Sequence, residues 1–263
     1  MVTRLAGVSA LLVAMASVPA APPEPLVSVW YRGSPAGQPR LDDLAAIRAL
    51  GFSGVTWPLG QTDRMAELRD MAATVGLSVI VRPLPRASGA DGMPAIDSHV
   101  DLAVSGPLAG SIAARSWRAV TKGARVLSFD PGQTEGTGLT MPNGQTPAWV
   151  APAVAIARQL SANASLVDRL RPGPPVTIEA PAAAGLEVVM LDGEGSWIIV
   201  ATNLGATRQK AVAALLSGIP YGLWVSWLDG TDLSMLSTPN GPRWTFEIDA
   251  GKALVYITGK KQR

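Results

Sequence analysis

From Leu26 onward, short apolar runs alternate with stretches whose apolar residues recur every three or four positions, the pattern of parallel strands joined by helices. Val27 to Tyr31 reads as a first strand, and Leu41, Leu44 and Ile47 share one face of a following helix that Gly51 stops. Gly54 to Trp57 is a second strand ended by Pro58. A helix then starts near Thr62 as N-cap, turns Met65, Leu68, Ala72 and Val75 inward, and stops at Gly76. Leu77 to Val81, Val100 to Val104 and Arg125 to Phe129 are the third, fourth and fifth strands. A helix carrying Leu108, Ile112 and Val120 precedes the fifth strand, and another from about Ala148 to Ser161 follows it. The passages from Pro83 to Asp97 and from Asp130 to Pro147 are rich in Gly, Pro, Asp and Thr and read as loops.

Arg171-Pro172-Gly173-Pro174-Pro175 changes the pattern, because prolines this dense cannot continue a helix and favour an extended linker. Beyond it come short strands at Val176 to Glu179, Leu186 to Leu191, Trp197 to Thr202, Gln209 to Leu215, Leu223 to Leu228, Trp244 to Ile248 and Ala253 to Ile257. Turns such as Asp192-Gly193-Glu194-Gly195 separate them, which predicts a small antiparallel β-sandwich. The expected division is residues 1–20 as a signal peptide, 21–171 as a βα-repeat domain and 172–263 as the sandwich. The first of these rests on Arg4, the apolar run from Leu5 to Val18, which is too short to span a bilayer, and the small residues near Ala20. An uncleaved amino-terminal anchor is the alternative. Either implies a folded part outside the cytoplasm, secreted or periplasmic, with no stable membrane insertion once the leader is removed.

Composition narrows the chemistry. The 263-residue chain has no cysteine, which excludes disulfides, thiolate metal sites and a cysteine nucleophile. Its net charge of +2 is spread along the chain, which argues against nucleic acid as a partner. His99 is the only histidine, so a metal site needing two imidazoles is excluded, and no cofactor is expected.

Three segments carry a resemblance: Trp30-Tyr31-Arg32-Gly33, the run from Ile47 to Pro58, and Gly123 to Asp130. Together with Ile198 to Leu204 and the Trp244 to Ile257 hairpin, they resemble TIM-barrel glycoside hydrolases with a carboxy-terminal β-sandwich. The fold class this implies is α/β, an incomplete or shortened (βα) TIM-like barrel followed by a small antiparallel β-sandwich. A complete barrel takes on the order of 200 to 250 residues, and the stretch from Leu26 to Arg171 is too short for one, so its middle units are absent. The function implied is a secreted carbohydrate-active protein of glycoside-hydrolase type using paired carboxylates. The alternative is a non-catalytic protein, a degenerate barrel that binds carbohydrate or envelope material. A third reading is a purely structural module.

Asp130 directly follows the fifth strand, the end at which sites form in barrels and open α/β sheets, and Glu135 lies in the same loop as a candidate partner. The structural alternatives are an Asx turn before Pro131-Gly132 and a solvated loop glutamate. Tyr31, Arg32, Trp57 and Arg82 sit at strand ends, where aromatic rings stack on sugars and guanidinium groups fork onto hydroxyls or carboxylates. Core packing is the competing role for Trp30 and Trp57. Asp91, Asp97, His99 and Asp101 form a second polar group, from which Asp97 and His99 are candidate substrate contacts, although a hydrogen-bonded structural histidine is the simpler reading. Ser105 is the only nucleophile placed to use that histidine. Trp224 and Trp227 must point to opposite sides of their strand and cannot share an exposed platform. Five parallel strands leave two open edges, which the sandwich, or a second copy of the chain in a homodimer, is expected to cover.

Overall fold

The computed structural model describes residues 26–33, 37–83, 99–104, 111–132, 139, 145–179, 184–216, 219, 224–233 and 235–259. The leader, Asp91, Asp97, Ser105 and Glu135 lie outside them.

The first half builds one parallel sheet from β1 (Leu26–Trp30), β2 (Gly54–Pro58), β3 (Ser78–Arg82), β4 (His99–Ala103) and β5 (Val126–Asp130). The spatial order is β3-β2-β1-β5-β4, with Ser28 opposite both Gly54 and Ser128. Read from one edge, the chain steps β4 to β5 and then β1 to β2 to β3 in the same direction. Right-handed crossovers then return every connecting helix to one face. These helices are α1 (Leu41–Ala49), α2 (Met65–Thr74), α3 (Ile112–Thr121) and α4 (Val150–Ala162), continued by the short α5 (Ala164–Val167). The helix expected from Thr62 opens with a 3-10 turn over Thr62–Arg64. Gly51, Gly76 and Gly123 end their helices with φ of 100°, 73° and 94°, a conformation open to glycine.

Strand alternation sorts the side chains. Val27, Val29, Tyr31, Val55, Trp57, Leu127 and Phe129 share a buried cluster with Leu44, Ile47, Leu68, Trp117 and Leu160 of the helices. The opposite face carries Ser28, Trp30 and Arg32 of the first strand and their lateral neighbours.

That opposite face is strongly concave. Thr56 Oγ1 and Ser128 Oγ, on strands two places apart, are 2.7 Å apart. Arg82 Nε and Asp101 Oδ2, on the two edge strands, are 3.7 Å apart. In a flat sheet with strands ~4.8 Å apart, those edges would stand ~19 Å from each other. The sheet therefore curls until side chains of its two edges meet.

The second half contains β6 (Arg171–Pro172), β7 (Thr177–Glu179), β8 (Leu186–Asp192), β9 (Ser196–Asn203), β10 (Gln209–Ala214), β11 (Trp224–Ser226), β12 (Asp232–Leu233), β13 (Leu236–Thr238), β14 (Gly241–Ile248) and β15 (Ala253–Gly259). They form a four-stranded sheet, β13-β14-β10-β7, and a six-stranded sheet, β12-β11-β15-β9-β8-β6. Ile199 and Ala201 of β9 join Ala211, Ala213, Trp244 and Phe246 of the other sheet in one core, while Ile198 and Val200 join the core of the first half. Both faces of β9 are covered, which is why its middle, Trp197 to Ala201, is an unbroken apolar run.

Two expectations change. The proline-rich passage is not a free linker at its start, because Arg171 and Pro172 pair with Asp192 and Leu191 as an edge strand, a position that tolerates a missing N–H. Among the described residues, the antiparallel half docks on the helix layer through α3 and not on the open edges of the parallel sheet. Trp117 and Trp227 lie 5.6 Å apart between ring centres. Arg118 forks onto Glu187 at 2.7 and 2.9 Å, and Ala114 N–H donates to the Gly251 carbonyl at 3.2 Å. Trp224 is buried in the other core, on the opposite side from Trp227.

Candidate functional site

The concave face of the parallel sheet gathers polar side chains that the sequence scatters over a hundred positions. At its base, Ser28, Thr56 and Ser128 form a triangle of hydroxyls with edges of 2.8, 2.6 and 2.7 Å, all fully buried. Each hydroxyl can donate to one neighbour and accept from the other, so the ring satisfies itself. His99 lies beside it with Nε2 2.9 Å from Ser128 Oγ and 3.2 Å from Asp101 Oδ1. A carboxylate oxygen accepts, so Nε2 carries the proton and shares it between the two oxygens. Both contacts use the same nitrogen. A Ser-His-Asp relay needs one ring nitrogen on the nucleophile and the other on the carboxylate, and this arrangement does not provide it. His99 is 4% exposed and hydrogen-bonded, which matches the structural reading of that residue.

Above this base, Asp101 Oδ1 also accepts from Trp30 Nε1 at 3.1 Å, and its Oδ2 faces Arg82. At the carboxyl ends of β1 and β5, Arg32 donates to Asp130 Oδ1 at 3.2 Å and lies over the Trp30 ring at 5.7 Å. The same oxygen accepts the Gly132 N–H at 2.9 Å, the Asx turn expected before Pro131-Gly132. Arg32 and Asp130 are each 13% exposed, Arg82 22% and Asp101 23%. Among the described residues, these four are the charged groups of the face with exposed surface.

The expected convergence of Tyr31, Arg32, Trp57, Arg82 and Asp130 holds for only three of the five. Tyr31 and Trp57 have no exposed surface and stand on the helix side, their rings 5.6 Å apart. Tyr31 and Arg32 are consecutive, and consecutive residues of an extended chain point to opposite faces. The Tyr31 hydroxyl donates to Asp43 at 3.0 Å and accepts the Arg40 N–H at 2.8 Å, and Trp57 Nε1 donates to the Gln61 carbonyl at 2.9 Å. Burial pushes the Tyr31 hydroxyl well above its ordinary value of 10.0, helped by the Asp43 charge and against the Arg40 N–H.

Asp101 was the residue sequence reasoning undervalued. Its signal was a charge inside an otherwise apolar strand, two positions from His99 and so on the same face. The Arg32–Asp130 pair had no such signal, because it depends on β1 and β5 being neighbours.

Chemically, the face offers two carboxylates on adjacent strands, Asp130 opposite Ala103 and Asp101 two residues earlier on β4. Their Cα atoms are ~8 Å apart by strand spacing and rise. Both act as acceptors toward protein donors: Trp30 and His99 for Asp101, whose Oδ2 also faces Arg82 at ion-pair distance without a hydrogen bond, and Arg32 and Gly132 for Asp130.

No family model matches this chain, and no curated protein matches it. Among solved structures it is similar to a family 30 endoxylanase from Clostridium papyrosolvens C71, at 9% identity and a TM-score of 0.38 over 90% of this chain and 96% of that one. It is also similar to the maltogenic α-amylase AmyB of Thermotoga neapolitana, at 10% identity and 0.42 over 79% of this chain and 51% of that one. An α-amylase from Anoxybacillus gives 13% and 0.38 over 57% of this chain and 33% of that one. The chain thus spans about a third of the Anoxybacillus amylase and half of AmyB. These neighbours are glycoside hydrolases from several families. Similarity at this level assigns neither a reaction nor a role to any residue.

Proposed function

We propose that this is an exported carbohydrate-binding protein on a shortened glycosidase-type scaffold, a truncated (βα) barrel with an appended β-sandwich, which holds its ligand at the strand ends without cleaving it. The observation that carries this reading is the engagement of Asp101 and Asp130. Glycoside cleavage needs one carboxyl group that presents a proton to the leaving oxygen, besides a second that acts as base or nucleophile. Here both carboxyl groups are turned toward protein donors, and Asp130 is also tied into the turn that follows its strand. What the face offers a ligand is a set of donors and acceptors, Arg32, Arg82, Asp101 and Asp130, at the edge where parallel sheets place their sites. Such a set suits a polyhydroxylated molecule.

The test pairs a glycan-binding panel with an aryl-glycoside hydrolysis panel on the wild type and Asp130→Asn. Saturable binding to one class of glycan with no chromophore release above background is the expected result. Hydrolysis by the wild type that Asp130→Asn abolishes would show a working glycosidase. Binding to no glycan would remove the carbohydrate reading.

A further inference from the structure

We infer that the ligand is acidic, a uronate-bearing glycan whose carboxylate is received by Arg82. This rests on the carbohydrate-binding reading above. Three observations point to it.

The first is an unmet donor. Arg82 Nε is shielded from solvent and has no hydrogen-bond partner, and its distance of 3.7 Å to Asp101 Oδ2 is too long for an N–H···O bond. Among the described residues, the other polar groups of the face are engaged: the three hydroxyls with one another, His99 with Ser128 and Asp101, Asp101 Oδ1 with Trp30, and Arg32 with Asp130. A buried donor left unmade is costly, so the edge of Arg82 that carries Nε is where an added acceptor gains most.

The second is the chemistry of that edge. A guanidinium presents parallel N–H groups in a planar fork whose spacing matches the two oxygens of a carboxylate. Asp101 does not fill the fork, because its Oδ1 is held by Trp30 and His99 from the neighbouring part of the face.

The third is the lack of a stacking platform among the described residues. Neutral sugars are gripped through ring faces laid on exposed aromatics. Tyr31 and Trp57 are on the helix side, and Trp30, the aromatic on the concave face, is 1% exposed and lies beneath Arg32. Recognition must then come from charge and hydrogen bonding; Arg32 is already bonded to Asp130, so it is Arg82, with its donor unmet, that favours an anion.

The experiment is calorimetric titration of the full chain with a uronic-acid oligosaccharide, its methyl-esterified form and a neutral oligosaccharide of equal length. It is run on the wild type, Arg82→Gln and Arg82→Lys, with thermal melts to establish that each variant is folded. The expected result is preference for the free acid, loss of that preference on esterification, and affinity reduced roughly tenfold to a hundredfold in Arg82→Gln, the range for losing a charged hydrogen-bonding partner. Arg82→Lys, which keeps the charge without the fork, should fall between. Equal affinity for acid and ester, or affinity unchanged in folded Arg82 variants, would overturn the acidic-ligand inference and leave the carbohydrate reading intact. Binding of neutral sugars alone would do the same. No binding to any of the three, nor to any glycan of the wider panel, would overturn both.

Discussion

Replacing Trp57 by alanine distinguishes the core role of this residue from a ligand contact. Its indole has no exposed surface, packs against Tyr31 at 5.6 Å and donates to the Gln61 carbonyl at 2.9 Å. Truncating a buried tryptophan to alanine costs about 3 to 5 kcal/mol, since transfer energy is lost and a cavity remains. The abandoned Gln61 carbonyl adds about 1 kcal/mol. A total near 5 kcal/mol is a large share of the ~5 to 15 kcal/mol that holds a domain together. With a urea dependence of ~2 to 3 kcal/mol per molar, the unfolding midpoint should fall by about 2 M. Trp57→Phe should recover part of it by refilling the cavity. Below its midpoint the folded variant should bind ligand as the wild type does, because the indole lies across the sheet from Arg32 and Arg82. A midpoint shifted by less than about 0.5 M together with lost ligand affinity would place Trp57 on the ligand face and refute this assignment.

Tyr31 predicts an alkaline limit to stability. The folded protein keeps its hydroxyl protonated above the ordinary value of 10.0. The unfolded chain releases that proton near 10, so the stabilisation is complete below pH 10 and is lost as pH rises further. Urea midpoints between pH 8 and 11 should decline above 10, and less steeply in Tyr31→Phe. Burial and the Asp229 charge also raise Tyr256, so the slope should be reduced and not abolished. An identical slope in Tyr31→Phe would sink the argument. A fragment beginning at Gly173, which the prolines suggest as an autonomous sandwich, lacks β6 and uncovers Leu191, Ile198, Val200 and Val255, which pack against the first half. It should self-associate and unfold without a sharp transition, as seen by sedimentation and circular dichroism. A monomeric fragment with cooperative all-β unfolding would show that the interface is dispensable.

Much of the local structure was legible because local structure has a period. Each of the five parallel strands was located to within one or two residues, and Gly51 and Gly76 marked helix ends correctly. The pieces missed were β6, β12 and β13, runs of two or three residues too short to show alternation and defined only by the strands beside them. For the candidate site, the rule that parallel sheets gather function at strand ends singled out Arg32, Arg82 and Asp130. Tyr31 and Trp57 were gathered with them because a strand end has two sides.

The sequence alone thus determined the longer strands and the main helices, and that Tyr31 and Arg32 must diverge, because a residue's direction follows from its neighbours along the backbone. Which of the two sides faces the helices was decided only by tertiary structure, through the register that sets Ser28 beside Gly54 and Ser128. The face itself is likewise tertiary. Trp30 and Asp101 are 71 residues apart in sequence, and Arg32 and Asp130 are 98 apart. They meet because β5 inserts beside β1 and the sheet curls until side chains of its two edges meet. Pairings at such separations depend on the packing of the whole chain, and no window of local sequence contains them.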